Sequence, residues 1–419
     1  MAITNLTVSN FKSFKQLDLA LGRFNVVIGA NASGKSNFVE IFRFLKTLEG
    51  NSLDDAISLR GGRDSILNRK LGPSEPLRMR ITSDQQGAWA GPWSYIHVCG
   101  RMYEFGLQLG GPQNRIVVEH DRLVERLRVE SATEDMEMTM DIHLFEGRPK
   151  VEFGPKDVVD RLKVRVLGEY GSFFTLYTYL DGLWEAVKAE QPTSLLMNTW
   201  LSSRSLMGPW ESFFGRLGAY DIDPHAIKKP HETAGIPRLQ ENAENLALVL
   251  KQILADPEKS RMFHNLLRDM LPFAVEVGIE QYLGTSLLLR LREEYYEGNL
   301  LANLLSDGTV DVVALITALF FEDKDVVIIE EPERNIHPRL ISGLMELVKD
   351  ASRNKQVIIT THSPEVVKHA GLESLLLISR DKEGFSTISR PAEKEAVKIF
   401  LENELGLDDL FVQDLLAVP

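Results

Sequence analysis

This chain of 419 residues has a single cysteine, Cys99, so it can form no internal disulfide and no cysteine-based metal site. Cys99 sits in the strand-like run Tyr95 to Cys99 and is expected to be a small buried hydrophobe. Long apolar runs are also missing. The longest, Val310 to Phe321, is interrupted by Asp311 and falls short of the roughly 20 residues that a membrane span needs. Met1 to Leu21 mixes polar and charged residues throughout, unlike a secretory leader, and a soluble cytoplasmic protein is expected. Positive charge is scarce as well. The 47 Lys and Arg residues face 60 Asp and Glu residues, for a formal net charge of −13. That excludes a surface coated in phosphate-binding lysines and confines any nucleic-acid contact to a local patch. Low-complexity tracts, internal repeats and long heptad series are absent, and the remaining composition can fill one large core or two modest ones.

Among the features present, the most informative is Val26-Val27-Ile28-Gly29-Ala30-Asn31-Ala32-Ser33-Gly34-Lys35-Ser36-Asn37. An apolar strand, Phe24 to Ile28, runs into GxxxxGKS and then into an amphipathic helix over Phe38 to Leu48, with Phe38, Ile41, Phe42 and Leu45 on one face. Gly29 and Gly34 let the backbone turn tightly and aim its N–H groups at phosphate oxygens. The helix N-terminus adds the positive end of its dipole. Gly29 to Asn37 is therefore expected to cradle a nucleoside triphosphate, with Lys35 reaching the β- and γ-phosphates and the Ser36 hydroxyl ligating magnesium.

Before this loop, Ile3 to Val8 and Gln16 to Leu21 alternate as strands. From Pro76 to Phe153, short alternating segments separated by Gly and Pro turns predict an antiparallel β subdomain with one face solvated. Helical periodicity then takes over at Leu176 to Glu190, Thr193 to Leu206, Asn242 to Leu254 and from Pro257. A loop-rich bridge is expected at Tyr220 to His231, and its Asp221, Asp223, His225 and His231 fit no helix or strand face as a metal site. Strands return at Thr285 to Arg292, Val326 to Ile329, Gln356 to Thr360 and Leu375 to Ile378. Strands alternating with helices imply a mainly parallel sheet built from both ends of the chain, with the middle inserted. The expected divisions are 1–160 and 285–390 as two halves of one α/β domain, 161–284 as an inserted helical lobe, and 391–419 as a helical tail.

Three further segments suit the same site. Ser306-Asp307-Gly308 precedes a helix over Val310 to Phe321 and reads either as an ordinary N-cap or as a second phosphate-binding helix end. Asp325 to Ile329 is an apolar strand ending in Glu330-Glu331. At the carboxyl end of a parallel strand these side chains meet the ligand crevice. Glu330 is placed to hold magnesium, directly or through water, and Glu331 to orient and deprotonate the attacking water. Asn335 is expected in a left-handed turn before His337-Pro338 opens a helix. The strand that starts at Gln356 ends in a His, and from that position His362 can contact the γ-phosphate or the water.

The order of Asn10-Phe11-Lys12-Ser13-Phe14, GANASGKSN at Gly29 to Asn37, LSDGT at Leu305 to Thr309, IIEEPE at Ile329 to Glu333, His337-Pro338 and TTHSPE at Thr360 to Glu365 resembles the ABC-type ATPase heads of the RecF, SMC and OLD families, closest to bacterial stand-alone OLD-like ATPases. Leu239 to Ala247 is similar to a helical segment of that group. The resemblance implies a P-loop NTPase fold and ATP with Mg2+. It also implies catalysis by Lys35, Glu331 and His362, and a homodimer in which Ser306, Asp307 and Gly308 act in trans on the other subunit's γ-phosphate. It further implies a Q-loop glutamine, for which Gln85, Gln86 and Gln108 are candidates. Glu330 stands where many relatives have Asp, no coiled-coil arm interrupts the chain, and no TOPRIM nuclease follows His362.

A switch acting on a separate effector, nuclease or toxin, in antiphage defence is the function expected. A RecF-like DNA repair ATPase and an ATP-assembled scaffold are the alternatives. For DNA, Arg122, Arg126, Arg128, Arg161, Lys163 and Arg165 are interleaved with acids. The apolar positions of Glu393 to Leu416 read equally as a tail packed on its own core or as a docking surface.

Overall fold

A computed structural model describes residues 1–84, 86–90, 95–110, 116–130, 135–145, 148–158, 195, 214–232, 235, 238–282, 284, 286–402 and 406–417. The chain divides into two compact units, one made of 22–39, 216–380 and 388–419, the other of 1–21, 40–215 and 381–387. The expected helices over 176–190 and 193–206 lie, Leu195 aside, outside the described residues, as do Arg161, Lys163, Arg165 and Gln85.

The first unit is built on a sheet in the order Leu217–Tyr220, Val326–Glu330, Gln356–Thr361, Phe24–Ile28, Leu375–Arg380, Ser386–Ser389. Its first four junctions are parallel, with Ile328 opposite Ile358 and Ile359 opposite Val26. The sheet thus draws on both ends of the chain, as the alternation of strands and helices implied. Parallel strands have both faces covered and therefore read as continuous apolar runs. Gln356–Thr361 is buried along its whole length, and Val326–Ile329 is fully buried. The Leu217–Tyr220 strand was not foreseen. It is short, includes Gly218 and runs straight into polar Asp221, so its local signal is that of a loop.

Helices around this sheet start where side chains can cap them. Asp256 accepts from the Glu258 and Lys259 backbone N–H groups ahead of Pro257–Met270. The helix expected from Asn242 begins instead at Leu246 and runs to Ala255. Its preceding turn holds Ala243 at φ 60°, and Asn245 accepts from Gln240 N at 2.9 Å while donating to Arg238 O at 2.8 Å. A second sheet pairs Ala274–Tyr282, also unforeseen, with Ser286–Glu293. The tail forms helices at Glu395–Glu402 and Leu407–Val412. Val397, Leu410 and Leu416 enter the main core, and Phe400 and Phe411 pack against it. Of the two readings of the tail, the structure supports the core.

The other unit carries an antiparallel sheet in the order Phe14–Ala20, Ile3–Phe11, Leu77–Ser83, Tyr95–Gln108, Val117–Glu130, Asp135–Phe145, Arg148–Gly154, with Gly87–Ala90 paired to Tyr95–Gln108. Leu77, Met79 and Ile81 are buried while Arg78 and Arg80 are exposed, the alternation of a half-solvated sheet. Arg122 binds Asp141 on the neighbouring strand and Arg128 binds Glu130 on its own, so both arginines are ion-paired within the sheet. Cys99 corrects the sequence reading: it is exposed. It neighbours buried Val98 at a point where pairing to Val117–Glu130 shifts between Val98 and Gly100, which turns its thiol outward.

Candidate functional site

The phosphate loop connects the Phe24–Ile28 strand to the Lys35–Leu48 helix, whose first turn is the lysine and serine of the motif. Phe38, Ile41, Phe42 and Leu45 are all fully buried on its inner face. Backbone geometry explains the glycines. Gly29 lies at φ 155° and Gly34 at φ 122°, and a Cβ on Gly29 would sit 2.3 Å from the Ile378 carbonyl oxygen. Ala32 also takes a left-handed φ of 61°. Its carbonyl accepts from Arg380 Nε and Nη2 at 3.1 and 2.9 Å, so a side chain at the end of the neighbouring strand braces the loop. Lys35 Nζ donates to Gly29 O at 2.7 Å and Ala30 O at 3.1 Å. Burial lowers the Lys35 pKa, opposed by the nearby charges of Glu331 and Glu333. Ser36 is exposed in the first turn. Left-handed glycines, a half-buried ammonium and a helix N-terminus fit a bound triphosphate.

Glu331 follows the Val326–Glu330 strand at φ 45°. Its N–H donates to Thr360 O at 2.9 Å, which pins the turn to the adjacent strand. His362 Nδ1 lies 2.9 Å from Oε1, and Arg334 Nη2 donates to Oε2 at 3.2 Å. Burial pushes the Glu331 carboxyl up, but the hydrogen bonds from Arg334 and His362 outweigh it and hold the group below its ordinary range. Glu333 behaves oppositely. Its burial dominates and raises its pKa, even though Thr361 Oγ1 donates to Oε1 at 2.5 Å. Glu330 ends its strand half-buried, opposite Thr360.

Ser306 caps the Asp307–Ile316 helix, its Oγ accepting from Thr309 N at 3.2 Å. The helix therefore begins three residues earlier than Val310, and a short π-helical turn continues it over Thr317–Phe321. Asp307 binds Lys228. Gly308 has no space for a side chain, since a Cβ would lie 2.4 Å from the Asn335 carbonyl oxygen. Asn335 itself is left-handed at φ 62°, as expected. Among the described residues, no hydrogen bond or ion pair joins 306–308 to the phosphate loop.

Two family profiles match the chain. Residues 1–82, with the phosphate loop, match an "AAA ATPase domain". Residues 201–368, with the Ser306, Glu331 and His362 segments, match an "AAA domain, putative AbiEii toxin, Type IV TA system". An SMC head solved bound to the C-winged helix domain of ScpA superposes with a TM-score of 0.51 at 13% identity, covering 93% of this chain and 98% of that one. This likeness concerns the fold. The chain has the fold of an ABC-type ATPase head and matches AAA ATPase domains over residues 1–82 and 201–368. Curated relatives of the head match over shorter stretches. Septu protein PtuA of Bacillus mycoides is 29% identical over 101 residues, 22% of this chain and 14% of that protein. Protein ea59 of phage lambda is 32% identical over 88 residues, 20% of this chain and 17% of its own length. Protein MJECL43 of Methanocaldococcus jannaschii is 26% identical over 94 residues, 22% of this chain and 24% of its own. This head spans less than a quarter of each relative's length.

In the head, Lys35, Glu331 and His362 gather in one compact unit, together with Glu333, Arg334 and Arg380, which sequence reasoning passed over. Each of those three acts through a partner far along the chain or a turn of unusual φ, so no local spacing marks it. The bridge residues are occupied elsewhere. Asp221 binds Arg334, Asp223 caps the Pro224–Ile227 helix, and His231 Nδ1 lies 2.9 Å from Glu232 O. Of the Q-loop candidates, Gln86 is exposed and Gln108 donates to the Pro73 carbonyl. Among the described residues, no helix of the head is long and apolar enough to cross a membrane.

Proposed function

We propose that the chain binds and hydrolyses ATP, dimerises head to tail around it, and thereby switches a separate effector, a nuclease or toxin, in a bacterial antiphage defence system. One observation carries the catalytic part: Glu331, at the carboxyl end of a core strand, has His362 Nδ1 at 2.9 Å and is coupled electrostatically to Lys35. Positioning and charge neutralisation are most of what phosphoryl transfer asks of a protein. Lys35 and the loop N–H groups neutralise the transferred phosphoryl oxygens. Glu331, ionised and oriented by His362 and Arg334, holds the attacking water and accepts its proton as the bond to the ADP leaving oxygen breaks. Ser36 and Glu330 would hold magnesium, which would supply further neutralisation at the phosphates.

The exposed Ser306 and the N-terminus of its helix make no bond to their own phosphate loop, which supports their acting on the triphosphate of a second copy. An ATP that binds both halves then favours the closed dimer by differential affinity. The separate effector is supported by the toxin-associated family profile and the Septu relative. The ion-paired arginines of the antiparallel sheet favour it over direct DNA binding.

Replacing Glu331 by Gln is the test. Turnover of ATP should fall by about a hundredfold or more, ATP should still bind, and light scattering should show a dimer accumulating with ATP. Unchanged turnover would remove Glu331 from catalysis. An output that persists in this variant would favour a scaffold over a switch.

A further inference from the structure

The Asp307–Ile316 helix carries an acid in its most buried stretch. Asp311 is 4% exposed among Val310, Val312 and Val313, themselves at 0%, 1% and 0%. Its Oδ2 accepts from Asn335 Nδ2 at 3.0 Å, while Oδ1 is buried without a partner. An unpaired buried carboxylate oxygen costs stability that valine at the same position would not cost. Burial pushes this carboxyl up to about 6 against the Asn335 hydrogen bond, with Asp307 adding to the rise and Arg334 and Lys228 opposing it.

What the acid holds is a turn. Glu331 and Asn335, at φ 45° and 62°, are both left-handed. Strained backbone of this kind persists only where its surroundings over-determine it. Arg334 donates to Glu331 Oε2 at 3.2 Å from within the turn, and its N–H donates to Glu331 O at 2.9 Å. At the far end, the Asn335 carbonyl rests against Gly308 and its amide is held by Asp311.

We propose that Asp311 is a positioning residue: by holding Asn335 against the Asp307–Ile316 helix, it fixes the 331–335 turn and, through Arg334, the Glu331 carboxylate. The proposal rests on Glu331 being the residue that orients the water. It makes one rigid piece of the helix end that meets a second copy's phosphate and the acid that acts at its own site. Any displacement of that helix reaches Glu331 through the Asp311–Asn335 pair and the Gly308 contact beside it.

Three variants test it. Asp311→Val deletes the acceptor at similar volume, Asn335→Gly deletes the donor while tolerating the left-handed backbone, and Asp311→Asn keeps an acceptor without the charge. In the nucleotide-free protein, amide hydrogen exchange across 331–337 should rise by about tenfold or more in the first two variants and return to the wild-type rate in the third. In ATP turnover, kcat should fall by about tenfold or more in the first two with KM little changed, and recover in the third. Asp311→Val should melt no lower than wild type. Wild-type exchange across 331–337 in both Asp311→Val and Asn335→Gly would overturn the proposal, as would wild-type kcat in both. If the wild type hydrolyses no ATP, the catalytic reading fails by itself, and hydrogen exchange still decides the role of Asp311.

Discussion

The two principal sheets handle charge in opposite ways. In the parallel sheet, Val326–Ile329 and Gln356–Thr361 are buried throughout and acids appear only where a strand ends, at Glu330 and Glu331. In the antiparallel sheet, charges alternate along whole strands and pair across them, as Arg78 does with Glu119 and Arg122 with Asp141. Ionised groups in the first sheet gather where backbone hydrogen bonding stops and a ligand can be met. In the second, pairs such as Arg78 with Glu119 lie on a wet surface, where each is worth little, while Arg101 with Glu125 is the buried exception. Charge density alone therefore says little about chemistry. What matters is whether the strand beneath the charge is buried on both faces.

Ile358→Ala strikes this contrast hardest. The side chain is fully buried in a central strand, and its truncation should cost about 2 to 5 kcal/mol in urea unfolding. A loss below about 1 kcal/mol would mean that the parallel sheet is less tightly covered than its burial implies.

An intermediate effect is expected from Asp311→Asn, and its sign depends on pH. The folded carboxyl, at about 6, lies above its ordinary 3.8. The folded state therefore holds more protons between those values, and stability falls as pH rises through the window. The Asn variant removes that penalty. Its advantage over wild type should be small below pH 4 and grow to on the order of 3 kcal/mol above pH 7. A pH-independent difference would contradict the burial of this acid.

Arg78→Ala should have the smallest effect. The Arg78 and Glu119 side chains are 51% and 42% exposed at 2.9 Å, and a double-mutant cycle should give a coupling below about 1 kcal/mol that salt abolishes. A coupling of several kcal/mol would place this face against another surface.

Much of the parallel sheet was legible because its strands advertise themselves as unbroken apolar runs, and its loop because GxxxxGKS leaves the backbone few alternatives. Ser306 was legible as the cap of its helix. Leu217–Tyr220 was not, since four residues that include a glycine carry too little pattern to separate an edge strand from a loop. Ala274–Tyr282 was hidden by Gly278 and by two glutamates within its alternation. The exposed thiol of Cys99 depends on an irregularity of strand pairing that a single sequence does not announce. Glu333, Arg380 and Asp311 owe their roles to partners brought close only by the fold, Thr361, Ala32 and Asn335, and Arg334 reaches Glu331 through a left-handed turn.

The position of Phe24–Ile28 also bears on how the molecule is made. This strand lies between Gln356–Thr361 and Leu375–Arg380, so neither of its hydrogen-bonding edges has a partner until those distant residues have been made. The nucleotide loop is synthesised early and completed late. Pairing across such sequence distances is slow, because the loop-closure entropy must be met before the contacts reward it. In the interval, an apolar strand with two open edges waits in the nascent protein. Open strand edges of this kind are where a nascent chain is exposed to aggregation.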